Sequence, residues 1–270
     1  MAPDPRDASV LSGRTILAVF AHPDDESLAC GGTLARAAGG GARVVLICAT
    51  RGERGSISDR SLVPDGDLGR VRSSELREAA AALGLAEVLI LNHPDGDLRW
   101  ADVPTLHEEI VAAIGDYHAD AVITFGEDGL YWHLDHIGVH ERTFTAVRSF
   151  GAAAPPLYFV TMPQGVMREM VLAAHAKGGA PDSSFWGIAP DAFGDAAQPP
   201  TIIVDVRDWV AAKLAALRCH RTQMGPRNPI AWIDEVEARR WLGIEQFRRA
   251  PIAGCGDGVL EHLGAPVTSS

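Results

Sequence analysis

The chain has 270 residues, 47% hydrophobic and 22% charged, with a formal net charge of −11. That length and apolar content suffice to bury the core of one large α/β domain, and an acidic surface without a basic stripe excludes nucleic acid and anionic membranes as main partners. No apolar run approaches the roughly 18–20 residues needed to span a bilayer, so no membrane insertion is expected.

In chain order, residues 1–13 (MAPDPRDASVLSG) lack a basic start followed by an apolar core and read as a disordered tail, not a signal peptide. A single domain is expected from 14 to 270. Strands are predicted at 14–20, 42–50, 87–91, 119–125 and 156–161, where short, β-branched, continuously apolar runs suit burial on both faces. Amphipathic helices are predicted between them at 27–38, about 70–83, 104–115 and 135–150, with glycines at 39–41 and 84 as stops. This alternation predicts an α/β fold, a Rossmann-like, mostly parallel sheet flanked by helices.

After residue 176 the pattern loosens. Residues 177–200 predict a long loop suited to be a lid, carrying Phe185, Trp186 and Phe193. A strand at 201–206, a helix at 207–222, a shorter helical region near 233–249 and a Gly-rich tail complete a loop-rich C-terminal portion. Cys30, Cys48, Cys219 and Cys255 form no CxxC pair and read as reduced thiols of a cytoplasmic protein.

Open parallel sheets bind ligands beyond the carboxyl ends of their strands. Two His- and Asp-bearing segments fall there: AHPDDE (21–26) after the first predicted strand, and EDGLYWHLDHIGVH (127–140) after the fourth. Three carboxylates crowded at the end of a buried strand repel one another unless water solvates them or a cation sits among them. His22 and Asp25 are three apart, as are His133 and His136, with Asp135 between the latter pair. Two ligands from the first segment and one His from the second would make a three-ligand catalytic zinc site with a place for water. Asp24, His133 and Asp135 would then remain for proton transfer and orientation. Two His and one carboxylate suit Fe2+ as well as Zn2+. His140 follows His136 by four, but without the Glu of a zincin motif it reads as structural.

AHPDDE followed about a hundred residues later by HLDH resembles the LmbE-like (PIG-L) family of metal-dependent N-deacetylases. TRGERG (50–55), RSSELREAAAALGL (72–85) and KLAALRCHRTQ (213–223) are similar to further family segments. The resemblance implies that His22, Asp25 and His136 hold zinc and that Asp24 is the general base for its water. It further implies that His133 donates a proton or stabilises the oxyanion with its ring held by Asp135, that Tyr131 is a second oxyanion contact, and that Arg72 and Asp95 bind the sugar. The implied reaction removes acetyl from an N-acetylglucosamine-type moiety of a small glycoside or natural product. Trp132 stands where the family commonly has Gly, and Leu134 where it has Pro. Trp132 is expected to stack on a sugar ring or an apolar aglycone. An amidase of the same family, cleaving a larger amide such as a mycothiol S-conjugate, would keep the same metal chemistry. A non-catalytic Rossmann-like sugar or nucleotide binder fits poorly, because AHPDDE has no Gly-rich phosphate cradle. An Fe2+ oxygenase would depend on oxygen.

Overall fold

Six residues without a charge, Thr15–Phe20, form β1, and every one of them is buried. The computed structural model describes residues 5–100, 103–179, 189–194, 198–252 and 258–266. β1 pairs in parallel with β2 (Arg43–Cys48) on one side and β4 (Ala121–Phe125) on the other. β3 (Glu87–Ile90) extends the sheet beyond β2, and β5 (Leu157–Thr161) beyond β4, both parallel. β6 (Ile202–Asp205), β7 (Ile244–Arg249) and β8 (Ala265–Pro266) complete it antiparallel, in the order β3-β2-β1-β4-β5-β7-β6-β8. The chain leaves β1 toward β2 and later returns to β1's other side with β4. The crevice beyond β1 and β4 is therefore a topological switch point, where open α/β sheets bind ligands.

The helices are α1 (Pro5–Leu11), α2 (Asp25–Gly39), α3 (Leu68–Leu83), α4 (Val103–Asp116), the short turn α5 (Gly129–Trp132), α6 (Leu134–Ser149), α7 (Val166–Ala176), α8 (Val210–Cys219), α9 (Glu235–Trp241) and α10 (Val259–Leu263). α2, α3 and α8 pack on one another, and α4 packs against α6. Asp67 caps α3 by accepting from Arg70 N, and left-handed Gly84 (φ 74°) ends it, the stop expected from sequence.

Two segments differ from expectation. The tail expected over 1–13 is helical from Pro5, because Leu11 is fully buried and Asp7 accepts from Arg36 of α2 at 2.7 Å. The region near 233–249 is not one helix but α9 followed by β7. The residues of β7 that turn inward are Glu245 and Phe247, so a buried carboxylate hides the strand alternation. Phe185 and Trp186 of the expected lid lie outside the described residues, whereas Phe193 is fully buried. No helix among the described residues is long and apolar enough to cross a membrane. Cys30, Cys48 and Cys219 are free thiols.

Candidate metal centre

Beyond β1 the chain turns through His22–Asp24 and enters α2 at Asp25, whose carboxylate accepts from His22 N at 2.7 Å. Asp24 at this junction has φ 124° and ψ −23°, a strained conformation for a residue with a side chain. Such geometry costs about 1–3 kcal/mol and persists only when the surroundings enforce it. Here they do: Asp24 N–H donates to Glu26 Oε2 (3.1 Å), while Arg72 Nη2 donates to Pro23 O (2.6 Å) and Asp24 Oδ2 (3.2 Å). Glu26 is itself held by His220 Nε2 at 3.0 Å and by the Ser27 hydroxyl, all three groups buried. Sequence reading leaves Glu26 and His220 out of the site. The resemblance of the 213–223 segment is the available signal for His220.

From the other side, β4 leads through α5 into α6, which carries His136. The His136 ring stacks on Phe125 with centroids 3.9 Å apart, and its Nδ1–H donates to Gly129 O at 3.0 Å. His22 Nε2–H donates to Asp135 Oδ2 at 3.0 Å and lies 3.2 Å from Asp95 Oδ1. These partners fix both tautomers. They leave the lone pairs of His22 Nδ1 and His136 Nε2 facing each other at 3.2 Å. Asp25 closes the triangle, with Oδ2 3.4 Å from His22 Nδ1 and Oδ1 3.2 Å from His136 Nε2. Two imidazole lone pairs and a carboxylate so placed repel unless a cation sits among them. A tetrahedral zinc with ligand bonds of about 2.0–2.1 Å sets its donors roughly 3.3 Å apart, so this donor set fits the metal. Without a metal, the same cluster draws positive charge as a proton, the charge that a bound cation would supply instead. Burial alone would lower the His22 pKa, but hydrogen bonds to Asp135, Asp25 and Asp95 raise it well above its ordinary value. Burial would raise Asp25, yet His136 and His22 hold it well below the carboxylate range.

Asp135 corrects one expectation. Its carboxylate does not hold the His133 ring. It accepts from Gly96 N (2.7 Å), Leu98 N (2.9 Å) and His22 Nε2, and so orients a ligand candidate from behind. His133 is oriented instead by the backbone: its Nδ1 accepts from Asp135 N at 3.2 Å as the cap of α6, leaving Nε2–H as the donor. Carboxylates behind a ligating His are worth about 10–100-fold in metal affinity. Asp135→Asn is therefore expected to weaken zinc binding by about that factor in chelator competition. Unchanged affinity would mean that the contact only packs the loop.

His22, Asp24, Asp25, Arg72, Asp95, Tyr131 and His133 line one cavity of about 250 Å³, joined at its rim by Arg54 and Ser56, which sequence reading does not single out, and by Gln223, which it leaves out of the site. Arg72 is buried, and its guanidinium also donates to Gly52 O at 2.9 Å. Gly52 is required there: its φ is 63°, and a Cβ would meet Arg72 Nη1 at 2.3 Å. Arg72 thus braces the Asp24 turn instead of reaching freely for a sugar. Burial would raise Asp95, but its hydrogen bond and attraction to His22, with the Arg54 N–H donated at 2.7 Å, hold it down to about 2. Trp132 faces away from this cavity into a neighbouring one, and Leu134 is exposed. Gln223 Nε2 donates to Ser56 O at 2.8 Å, and the buried Glu75 accepts from Thr222 N (3.0 Å) and Oγ1 (2.6 Å), fixing that rim.

A family model described as GlcNAc-PI de-N-acetylase (PIG-L) matches residues 17–147. The 1D-myo-inositol 2-acetamido-2-deoxy-alpha-D-glucopyranoside deacetylase of Acidothermus cellulolyticus is 33% identical, across 94% of this chain and 95% of its own length. Among solved structures, a conserved protein of Thermus thermophilus is 25% identical, with a TM-score of 0.59 over 88% of this chain and 94% of that one. The N,N'-diacetylchitobiose deacetylase of Pyrococcus horikoshii shares the fold at 21% identity, with a TM-score of 0.57 over 88% and 84% of the two chains.

Proposed function

The chain belongs to the PIG-L (LmbE-like) family of deacetylases, and from that premise we propose that it removes the acetyl group of an N-acetylglucosamine-type sugar in a small, soluble glycoside. The observation that carries this reading is the convergence of the His22, Asp25 and His136 donors, the first two lining a cavity that also holds the strained Asp24 carboxylate and His136 buried behind them. His22, Asp25 and His136 would hold zinc, which when bound polarises an amide carbonyl and acidifies a water molecule.

The remaining steps belong to the chain's own side chains. Asp24 accepts the proton of the attacking water and returns it to the departing amine. His133, with Nδ1 engaged by the α6 backbone, directs Nε2–H to the oxyanion. Tyr131, buried with its ring edge-on to His133 at 5.8 Å, supplies the second oxyanion contact. Asp95 accepts from sugar hydroxyls at the rim, and Arg72 serves the substrate by fixing the Asp24 turn.

Protein stripped of metal with a chelator is expected to release no acetate from methyl N-acetylglucosaminide or N-acetylglucosaminyl-inositol, and added zinc to restore release. Anaerobic Fe2+ in a parallel arm tests the metal's identity. Full activity in the stripped protein, or none in the reloaded protein on either glycoside, would overturn the reading.

A further inference from the structure

Trp132 sits between Tyr131 and His133, whose side chains line the metal cavity, yet its own indole turns the other way. The cause is local: Trp132 has φ 66°, and Leu130 two residues before has φ 70°. Left-handed backbone at a residue with a bulky side chain is strained and clusters at functional sites. What the strain achieves is an indole left 54% exposed at the mouth of a second cavity of about 230 Å³. Phe159 on β5 lines that cavity, with the Arg248 guanidinium 4.9 Å over its ring from the facing position on β7. Arg248 pairs with Glu127, and the Gln198 carboxamide adds a further polar edge.

We propose that this cavity is a subsite for a neutral polyhydroxylated ring, the cyclitol or second pyranose that follows the N-acetylated sugar, with Trp132 as its stacking surface. The proposal rests on the deacetylase reading and deepens it. The exposed Trp132 indole suits the C–H face of such a ring, while guanidinium, carboxylate and carboxamide supply the donors and acceptors that neighbouring hydroxyls need. The charge pattern disfavours a phosphorylated ring: Glu127 and Asp128 both line the cavity, and its guanidinium is already paired with Glu127. Tyr131 and His133 line the first cavity and Trp132 the second, so the two cavities meet along residues 131–133, where a two-ring substrate would engage both.

The test compares kcat/KM for N-acetylglucosaminyl-inositol, N,N'-diacetylchitobiose and methyl N-acetylglucosaminide. Trp132→Gly keeps the backbone it needs, since glycine adopts positive φ freely, and Gln198→Ala alters an exposed side chain. The ratio of the preferred two-ring substrate to the methyl glycoside is expected to fall about tenfold in Trp132→Gly and about threefold in Gln198→Ala. Which two-ring substrate loses more identifies cyclitol or pyranose. A ratio within about twofold of the parent in both variants would overturn the subsite. Saturation-transfer NMR with myo-inositol, methyl glucoside and myo-inositol 1-phosphate gives a readout that needs no catalysis. Signals for a neutral ring that vanish in Trp132→Gly support the subsite even if the parent frees no acetate and the deacetylase reading falls. No signal from either neutral ring, or a stronger one from the phosphate, would overturn it.

Discussion

Asp24→Asn is expected to lower kcat for acetate release by about 10²–10⁴-fold, the usual worth of a positioned general base, while the protein still binds its metal. Asparagine is the informative replacement. It tolerates positive φ better than most residues and keeps an oxygen for Arg72, so the turn at φ 124° survives. It cannot accept a proton. Burial, opposed by Arg72 and reinforced by the neighbouring Asp25, pushes the Asp24 carboxyl up to about 6. Removing that buried charge relieves the metal-free folded state, so the melting temperature of the stripped protein should hold or rise while the zinc-reloaded protein loses activity. This opposition of signs separates a lost base from a damaged fold. A loss of kcat under about threefold would move the base elsewhere, because a group that takes the proton cannot be dispensed with so cheaply.

The parts of the fold legible in the sequence are those where one residue type has one consequence. β1, β2 and β4 read as buried strands because an unbroken apolar run leaves no polar face. The convergence of His22, Asp25 and His136 is legible for a related reason: both segments follow the carboxyl ends of strands in one parallel sheet, and the structure pairs those strands side by side. What stays hidden depends on long-range pairing. Asp135 sits two residues after His133, and proximity in sequence suggests a partnership. The carboxylate instead reaches His22, 113 residues away. Glu26 and His220 are 194 residues apart, and nothing local marks either as a brace for Asp24. Trp132 stands out for its size, but the left-handed turn that sends it into a second cavity is a backbone property no side-chain pattern announces. β7 is hidden because Glu245 occupies an inward position that alternation assigns to an apolar residue.

That inward glutamate sets the second large expectation: Lys213→Met should destabilise the fold by about 3–5 kcal/mol, the cost of stranding one member of a buried ion pair. Lys213 and Glu245 are both nearly inaccessible, with Nζ 2.6 Å from Oε1. Glu245 also accepts from Gly32 N (2.9 Å) and Thr33 N (2.7 Å). Those amides are available because α2 breaks at Cys30 (φ −150°, ψ 22°), so its second half begins anew and needs an acceptor. A carboxylate from β7 supplies it, and the same helix begins with Asp25 at the candidate metal centre. In Lys213→Met the methylene packing survives while the ammonium is lost, leaving Glu245 charged, buried and matched only by two amides. A loss of that size corresponds to roughly 6–20 °C in melting temperature for a domain of this class. Adding Glu245→Gln should recover much of it, since replacing both partners of a buried pair is far less costly than removing one, and the carboxamide oxygen still caps an amide. A double variant no more stable than Lys213→Met alone would place the stabilisation in the lysine's own contacts, not in the neutralisation of the charge that caps the helix.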